Sequence, residues 1–151
     1  MIFVEKNSPH HPQATALLKS SHALMQSLFP PEDNFYLDID DLCVDSIRFF
    51  TAREGDTILG TGALSVKDGY GEVKSMFTNE AARGKGIASA ILRQIEDEAR
   101  AEGLPWLKLE TGNLLHAAHR VYERHGFTRC GPFGDYPDAK SSIFMEKPLT
   151  D

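Results

Sequence analysis

A short glycine-containing segment has the residue types that bind a diphosphate. It runs RGKGIA over residues 83–88 and lies between a β-rich segment and a long helical pattern. Gly84 and Gly86 lack a Cβ, so backbone amides can approach phosphate oxygens, and a helix start adds unpaired N–H groups. Arg83 and Lys85 supply positive charge. The segment therefore predicts a diphosphate site, and the alternative is an exposed basic helix start that binds no ligand.

A tyrosine near the end of a second helical pattern is the other candidate for chemistry. The sequence runs YERHGF from Tyr122, with Gly126 placed to end the helix and Phe127 to begin a strand. A buried phenol usually packs in the core with its hydroxyl bonded to a carbonyl. It can also donate a proton to a leaving group. Both interpretations of Tyr122 stay open on the sequence alone.

The elements that must position these residues follow from hydrophobic periodicity and turn signals. Strands are predicted at 2–5, 47–53, 57–66, 72–78, 106–111, 127–130 and 142–147. Helices are predicted at 13–28, at 39–44 with Asp38 as the cap, from about 87 to Gly103, and at 115–124. Tight hairpins should join the strands between residues 47 and 78. The order indicates an α/β fold with a mixed sheet.

The bulk composition excludes several classes of protein. A length of 151 residues predicts one domain over residues 1–151, and a formal net charge of -6 disfavours nucleic acid as a partner. No apolar run is long enough to span a membrane and no secretory leader is apparent, so the protein is expected to be cytoplasmic. Cys43 and Cys130 form no CxxC pair.

The histidines form no metal-binding pattern. None of the six belongs to HExxH or to a Cys/His zinc spacing, so no metal is expected. His10, His11, His116 and His119 are interpreted as surface or capping residues. His22 and His125 receive no role.

Taken together, the two motifs resemble the GNAT superfamily of acetyl-CoA-dependent N-acetyltransferases. The family's coenzyme loop, Gln/Arg-x-x-Gly-x-Gly/Ala, is matched by Arg83, Gly86 and Ala88, and its YxxxGF signature by Tyr122–Phe127. The segments 72–77, 109–112 and 133–136 are similar to a subgroup of small bacterial members. The resemblance implies a mostly antiparallel mixed sheet of about seven strands flanked by about four helices.

The resemblance also implies roles for individual residues. Acetyl-CoA would be the co-substrate, with Tyr122 protonating the departing thiolate and Glu72 as the general base that deprotonates the amine. Glu110 on the neighbouring strand is the second candidate for the base, and for Glu72 a strand-end carboxylate paired with Lys74 is the alternative. The expected coenzyme contacts are Met76, Phe77, Thr78, Arg83, Gly84, Lys85, Gly86, Ile87 and Ala88.

The resemblance also implies that the acceptor binds at the first helices, their connecting loop and the last strands, which here means residues 28–37 and 133–142. Phe29, Tyr36 and Tyr136 are the candidate substrate-binding residues, because aromatic faces beside carboxylates suit a cationic amine. The alternative is that these two loops are simply packed together.

The sequence therefore predicts an N-acetyltransferase that moves an acetyl group to a primary amine of a small molecule, peptide or protein by direct attack in a ternary complex. The alternative is a non-catalytic module whose partner binding responds to acetyl-CoA. The partners expected are the coenzyme thioester and the amine, without nucleic acid or membrane, in a monomer or homodimer.

Overall fold

A computed structural model describes residues 1–149. Strands and α-helices follow one another along the chain in an order close to that predicted. The elements are β1 (Ile2–Lys6), α1 (Pro12–Leu28), β2 (Ile47–Glu54), β3 (Thr57–Val66), β4 (Gly71–Thr78), α2 (Ile87–Ala101), β5 (Trp106–Gly112), α3 (His116–Arg124), β6 (Thr128–Cys130) and β7 (Ser142–Pro148). Short 3-10 helices lie at Pro31–Asp33, Asp40–Cys43 and Glu80–Ala82.

The seven strands form a single sheet in the order β1-β2-β3-β4-β5-β7-β6. All neighbouring pairs are antiparallel except β4 and β5, which are parallel. The predicted mixed, mostly antiparallel sheet is therefore confirmed. Among residues 1–149, none of the helices combines the length and the apolar composition needed to cross a bilayer.

Each face of the sheet has its own core. On one face, α2 buries the stripe that its periodicity predicted, and Tyr122 and Phe127 join the same cluster. On the other face, Ala14 and Leu18 of α1 pack against Phe49 and Ala63. The side chains of a strand point alternately to the two faces, and β2 and β3 accordingly contribute to both cores.

Two glycines of β3 bring α2 close to the sheet. A Cβ on Gly62 would overlap the side chains of Ile91 and Met76, and one on Gly60 would overlap Ile87. The absence of these side chains lets the first turns of α2 lie directly over β3. The start of α2 is thereby fixed relative to the end of β4.

One helix prediction was wrong in type and in its cap. The segment predicted as a helix over residues 39–44 is the 3-10 helix Asp40–Cys43, and the α-helices of the described residues are α1, α2 and α3. Its N-cap is Ile39 rather than Asp38, and no side chain caps it. At α1 the structure agrees with the capping role considered for His11, because this residue is the N-cap and its ring Nδ1 accepts a hydrogen bond from the Gln13 amide at 3.2 Å.

Candidate functional site

The sheet opens between β4 and β5. These two strands pair only at Gly71 with Leu107 and at Glu72 with Lys108. In the described residues, the later part of β4 has no neighbouring strand on that side. A bulge in β4 accompanies this separation: Ser75 has a φ of 56°, and its carbonyl accepts a hydrogen bond from Thr61 Oγ1 at 2.8 Å. The backbone of Met76, Phe77 and Thr78 therefore borders the gap between the two strands, which is called the cleft below.

The glycine loop meets this cleft at the start of α2. Gly84 and Gly86 have φ values of 87° and 78°, the left-handed region that glycine adopts without strain, and Gly86 is the N-cap of α2. Within residues 1–149, the amide N–H groups of Gly84 and of residues 86–89 have no acceptor. Such unpaired amides, at the positive end of a helix dipole, are the usual site for a phosphate group.

The charged residues of the loop lie on the surface. Lys85 forms an exposed ion pair with Glu54 at 3.3 Å, while the side chain of Arg83 is exposed and has no ion-pair partner in the described part of the chain. Exposed pairs contribute little to stability, so Lys85 can exchange Glu54 for an anionic ligand at low cost. The side chain of Ile87 is buried in the core, so only its amide is available to a ligand.

Tyr122 lies in the core of the α2 face with only 6% of its surface exposed. Its ring packs edge-on against Phe127 at 5.8 Å between centroids. None of the hydrogen bonds of residues 1–149 includes its hydroxyl, in contrast to a structural tyrosine tied to a carbonyl. Burial, with the charge of Glu110, raises the pKa of Tyr122, so the phenol keeps its proton at neutral pH.

Glu72 belongs to a hydrogen-bonded triad on the opposite face of the sheet. The Tyr136 hydroxyl donates to Glu72 Oε2, and the Lys74 ammonium lies 3.3 Å from the same oxygen. Lys74 also donates to the Tyr136 hydroxyl at 2.7 Å and to the Phe35 carbonyl at 3.4 Å. Glu72 is 5% exposed. The triad joins β4 to both loops that were expected to bind the acceptor.

Glu110 lies on β5 just past the point where the β4–β5 pairing ends. Its Oε2 accepts one hydrogen bond, from Ser142 Oγ at 2.7 Å. Burial raises its pKa, although the Ser142 bond and the Lys74 charge act in the opposite direction. The charge of Glu110 also contributes to the raised pKa of both Tyr122 and Tyr136. The charge of Glu110 therefore acts on one tyrosine on each face of the sheet.

The three residues predicted to bind the substrate lie in different surroundings. Tyr136 is a member of the triad, whereas Phe29 is buried against Gly112 at the end of β5. Tyr36 stacks on His22 at 4.1 Å and accepts a hydrogen bond from Gln26 at 2.8 Å, so it lies against α1. Around Tyr136 the rings of an aromatic cluster pack edge to face, namely Phe35, Tyr70, Phe133 and Phe144.

We expect Gly112→Ala to lower the free energy of unfolding by about 1–3 kcal/mol, because its Cβ would overlap the Phe29 ring. Urea denaturation measures this loss. Gly131→Ala is the matched control, since nothing lies within 4 Å of a Cβ there. The effect of Gly112→Ala should shrink in a Phe29→Ala background, and an equal effect in both backgrounds would contradict the contact.

Sequence analysis missed the role of a histidine on α3. His119 was interpreted as a surface or capping residue, but it is 6% exposed and its Nε2–H donates to the Gly112 carbonyl at 2.8 Å. This bond ties α3 to the end of β5. The signal was present in the spacing, because residues three apart on a helix share a face and His119 precedes Tyr122 by three.

Comparison with known proteins establishes the family. The model of the acetyltransferase (GNAT) family matches residues 15–127. The chain therefore belongs to the GNAT acetyltransferase family. The IAA acetyltransferase of Azospirillum brasilense is 41% identical over 150 residues, which cover 98% of each chain. The enzyme class is accordingly an acetyltransferase, and the family resemblance found in the motifs is confirmed.

Solved structures agree on the fold. A candidate acyl-CoA N-acyltransferase of Klebsiella pneumoniae superposes with a TM-score of 0.84, at 28% identity over 99% of both chains. The PaiA N-acetyltransferase of Thermoplasma acidophilum, solved in complex with coenzyme A, gives 0.72 at 16% identity over 98% of this chain and 99% of that one. The second likeness shows the fold alone. Within this family acetyl-CoA is the co-substrate, and the fold binds a coenzyme A thioester and an acceptor.

Proposed function

We propose that the chain, acting as one domain, transfers an acetyl group from acetyl-CoA to a primary amine by direct attack in a ternary complex. One observation carries the proposal. The unpaired amides at the start of α2 open onto a gap in the sheet, and Glu110 lies at that gap within reach of both faces. A thioester bound on one face of the sheet and an amine bound on the other can therefore meet beside the carboxylate of Glu110.

The coenzyme would lie along the edge of β4. The amides of residues 86–89 hold its diphosphate, with Gly84 and the charges of Arg83 and Lys85 beside them. The pantetheine arm follows the backbone of Met76–Thr78, which has no neighbouring strand on that side within the described residues. Backbone N–H groups there can also stabilise the oxyanion that forms when the amine attacks. Because these donors are already in position, they stabilise the transition state of acetyl transfer at no cost in reorganisation.

The base in this proposal is Glu110 rather than Glu72. An alkylammonium has a pKa near 10, so some group must accept its proton before the nitrogen can attack. One oxygen of Glu72 already accepts from Tyr136 and pairs with Lys74, so that oxygen is not free to take the amine proton. Glu110 accepts a single side-chain hydrogen bond and burial raises its pKa, so its carboxylate is the one free to accept the amine proton. The triad of Glu72 then holds the acceptor loops in place.

Tyr122 assists the leaving group in this scheme. The amine nitrogen forms a bond to the acetyl carbon, the C–S bond breaks, and the sulfur leaves as a thiolate. A thiol has a pKa near 8.5, and that of Tyr122 is raised above the ordinary phenol value of 10.0, so complete proton transfer to sulfur is uphill. The unpartnered hydroxyl therefore acts mainly as a hydrogen-bond donor to the developing thiolate.

We expect Tyr122→Phe to lower kcat by about 10- to 100-fold and to leave the Kd of acetyl-CoA nearly unchanged, because a single donor is lost. Steady-state kinetics and calorimetry give the two quantities. Since the hydroxyl forms no hydrogen bond within residues 1–149, the variant should be as stable as the wild type. An unchanged kcat would remove Tyr122 from the mechanism.

Release of free thiol from acetyl-CoA tests the proposed function. The purified chain is mixed with acetyl-CoA and a panel of amines, and thiol is followed with a disulfide reagent while mass spectrometry identifies the acetylated amine. Amine-dependent thiol release that falls in Glu110→Gln supports the proposal. Tight coenzyme binding without turnover on any amine would favour the acetyl-CoA-responsive module, whose cellular role should survive Tyr122→Phe and Glu110→Gln.

A further inference from the structure

A hydrogen bond between two helices lies beside the proposed diphosphate site. His125 Nε2 is 3.0 Å from Ser89 Oγ. Ser89 belongs to the first turn of α2, and its amide is one of those without an acceptor in residues 1–149. His125 is the C-cap of α3, three residues after Tyr122. The pair therefore links the helix that carries Tyr122 to the helix whose amides face the cleft.

The protonation of His125 decides which way the Ser89 hydroxyl points. When Nε2 carries no proton, it accepts a hydrogen bond and the serine donates its only proton to the imidazole. When Nε2 carries a proton, the imidazole donates to the serine oxygen. The serine proton is then free to turn towards a phosphate oxygen in the cleft. When the neutral ring carries its proton on Nδ1, uptake of a second proton at Nε2 thus converts Ser89 from an engaged donor to an available one.

The surroundings of His125 keep it neutral before a ligand arrives. Burial lowers the pKa of His125, and the positive charges of Arg93 on α2, Lys147 on β7 and Arg124 on α3 lower it further. Glu96 on α2 acts in the opposite direction, but it is also paired with Lys147. A diphosphate at the start of α2 would add negative charge on the Ser89 side of the ring. That added charge favours the imidazolium form.

We propose that Ser89 and His125 are part of the diphosphate site and that coenzyme binding is coupled to uptake of a proton by His125. The inference rests on the proposed function, because it assumes that the diphosphate binds at the start of α2. His125 would be a positioning residue, acting on the coenzyme through Ser89. Coenzyme affinity should then depend on pH through a group that touches no substrate atom.

Calorimetric titration in two buffers of different ionisation enthalpy measures the protons taken up on binding. Dephospho-coenzyme A is the probe, because the 3′-phosphate of coenzyme A itself titrates near 6. At pH 6.5 the wild type should take up a fraction of a proton, and His125→Gln should take up none. The Kd of His125→Gln should be about tenfold weaker than wild type at pH 6 and nearly equal at pH 8.

Two further variants make the result specific. His10→Gln makes the same substitution on an exposed loop before α1, and its proton uptake should match the wild type. Ser89→Ala removes the hydroxyl alone and should weaken binding at pH 6 while leaving part of the uptake. Equal uptake and equal Kd in wild type and His125→Gln would overturn the inference while coenzyme binding stands. Failure of the wild type to bind the probe or acetyl-CoA would overturn the proposed function as well.

Discussion

Gly86→Glu should abolish coenzyme binding. Gly86 has a φ of 78°, and no atom lies within 4 Å of the position that a Cβ would take, so glutamate would fit sterically but would strain the backbone. The strain would displace the amides of residues 86–89, and the carboxylate would repel the diphosphate. Each hydrogen bond to a charged group contributes about 1.5–3 kcal/mol, so losing two weakens binding by more than about 100-fold. Calorimetric titration with acetyl-CoA measures this loss.

Gly103→Glu is the matched control for this variant. Gly103 follows the other end of α2 with a φ of 74°, and it likewise has nothing within 4 Å of a Cβ. The Gly103→Glu substitution therefore adds the same charge and a similar backbone strain, far from the proposed site. We expect its Kd for acetyl-CoA to stay within about twofold of wild type. Equal losses in both variants would show that Gly86→Glu acts through stability rather than through the diphosphate site.

Glu110→Gln should lower kcat/KM by about 100- to 10,000-fold, the range typical for loss of a general base. The amide has nearly the same shape but cannot accept the amine proton, so coenzyme affinity should change little. Because burial raises the pKa of Glu110 above its ordinary value of 4.5, the carboxylate forms at higher pH than in an exposed glutamate. The wild-type activity should therefore rise with pH through this displaced pKa, and Glu110→Gln should lose that limb of the profile.

Ser142→Ala provides a second measurement on the same group. The Ser142 hydroxyl stabilises the charged form of Glu110, so its removal should raise the pKa of Glu110 and move the acid limb to higher pH. Glu72→Gln is the competing variant. If Glu72→Gln removed the acid limb while Glu110→Gln kept it, Glu72 would be the base, as the family resemblance implied.

The sequence was sufficient to predict elements with a strong local signal. The periodicity of α2 predicted its buried stripe, and the glycines of the turns predicted the hairpins between β2, β3 and β4. The loop over residues 83–88 was predicted at the start of α2 because glycines and basic residues precede that periodicity. These features depend on residues within a few positions of one another.

The parts of the site that depend on long-range contacts could not be predicted in this way. The bulge at Ser75 needs a register between β3 and β4 that no local motif encodes. The contact between Tyr136 and Glu72 joins residues 64 positions apart. It changes the role that we propose for Glu72, because one oxygen of this carboxylate is already engaged by a tyrosine and a lysine. The single side-chain bond of Glu110 became evident only from the packing of β5 against β7.

A crystal structure of the chain with bound coenzyme A tests the account most directly. We expect the diphosphate on the amides of residues 86–89 and the pantetheine along Met76–Thr78. The sulfur should lie about 3–4 Å from the Tyr122 hydroxyl, on the same side of the gap as Glu110. A coenzyme bound elsewhere, or with its sulfur far from both residues, would contradict the account.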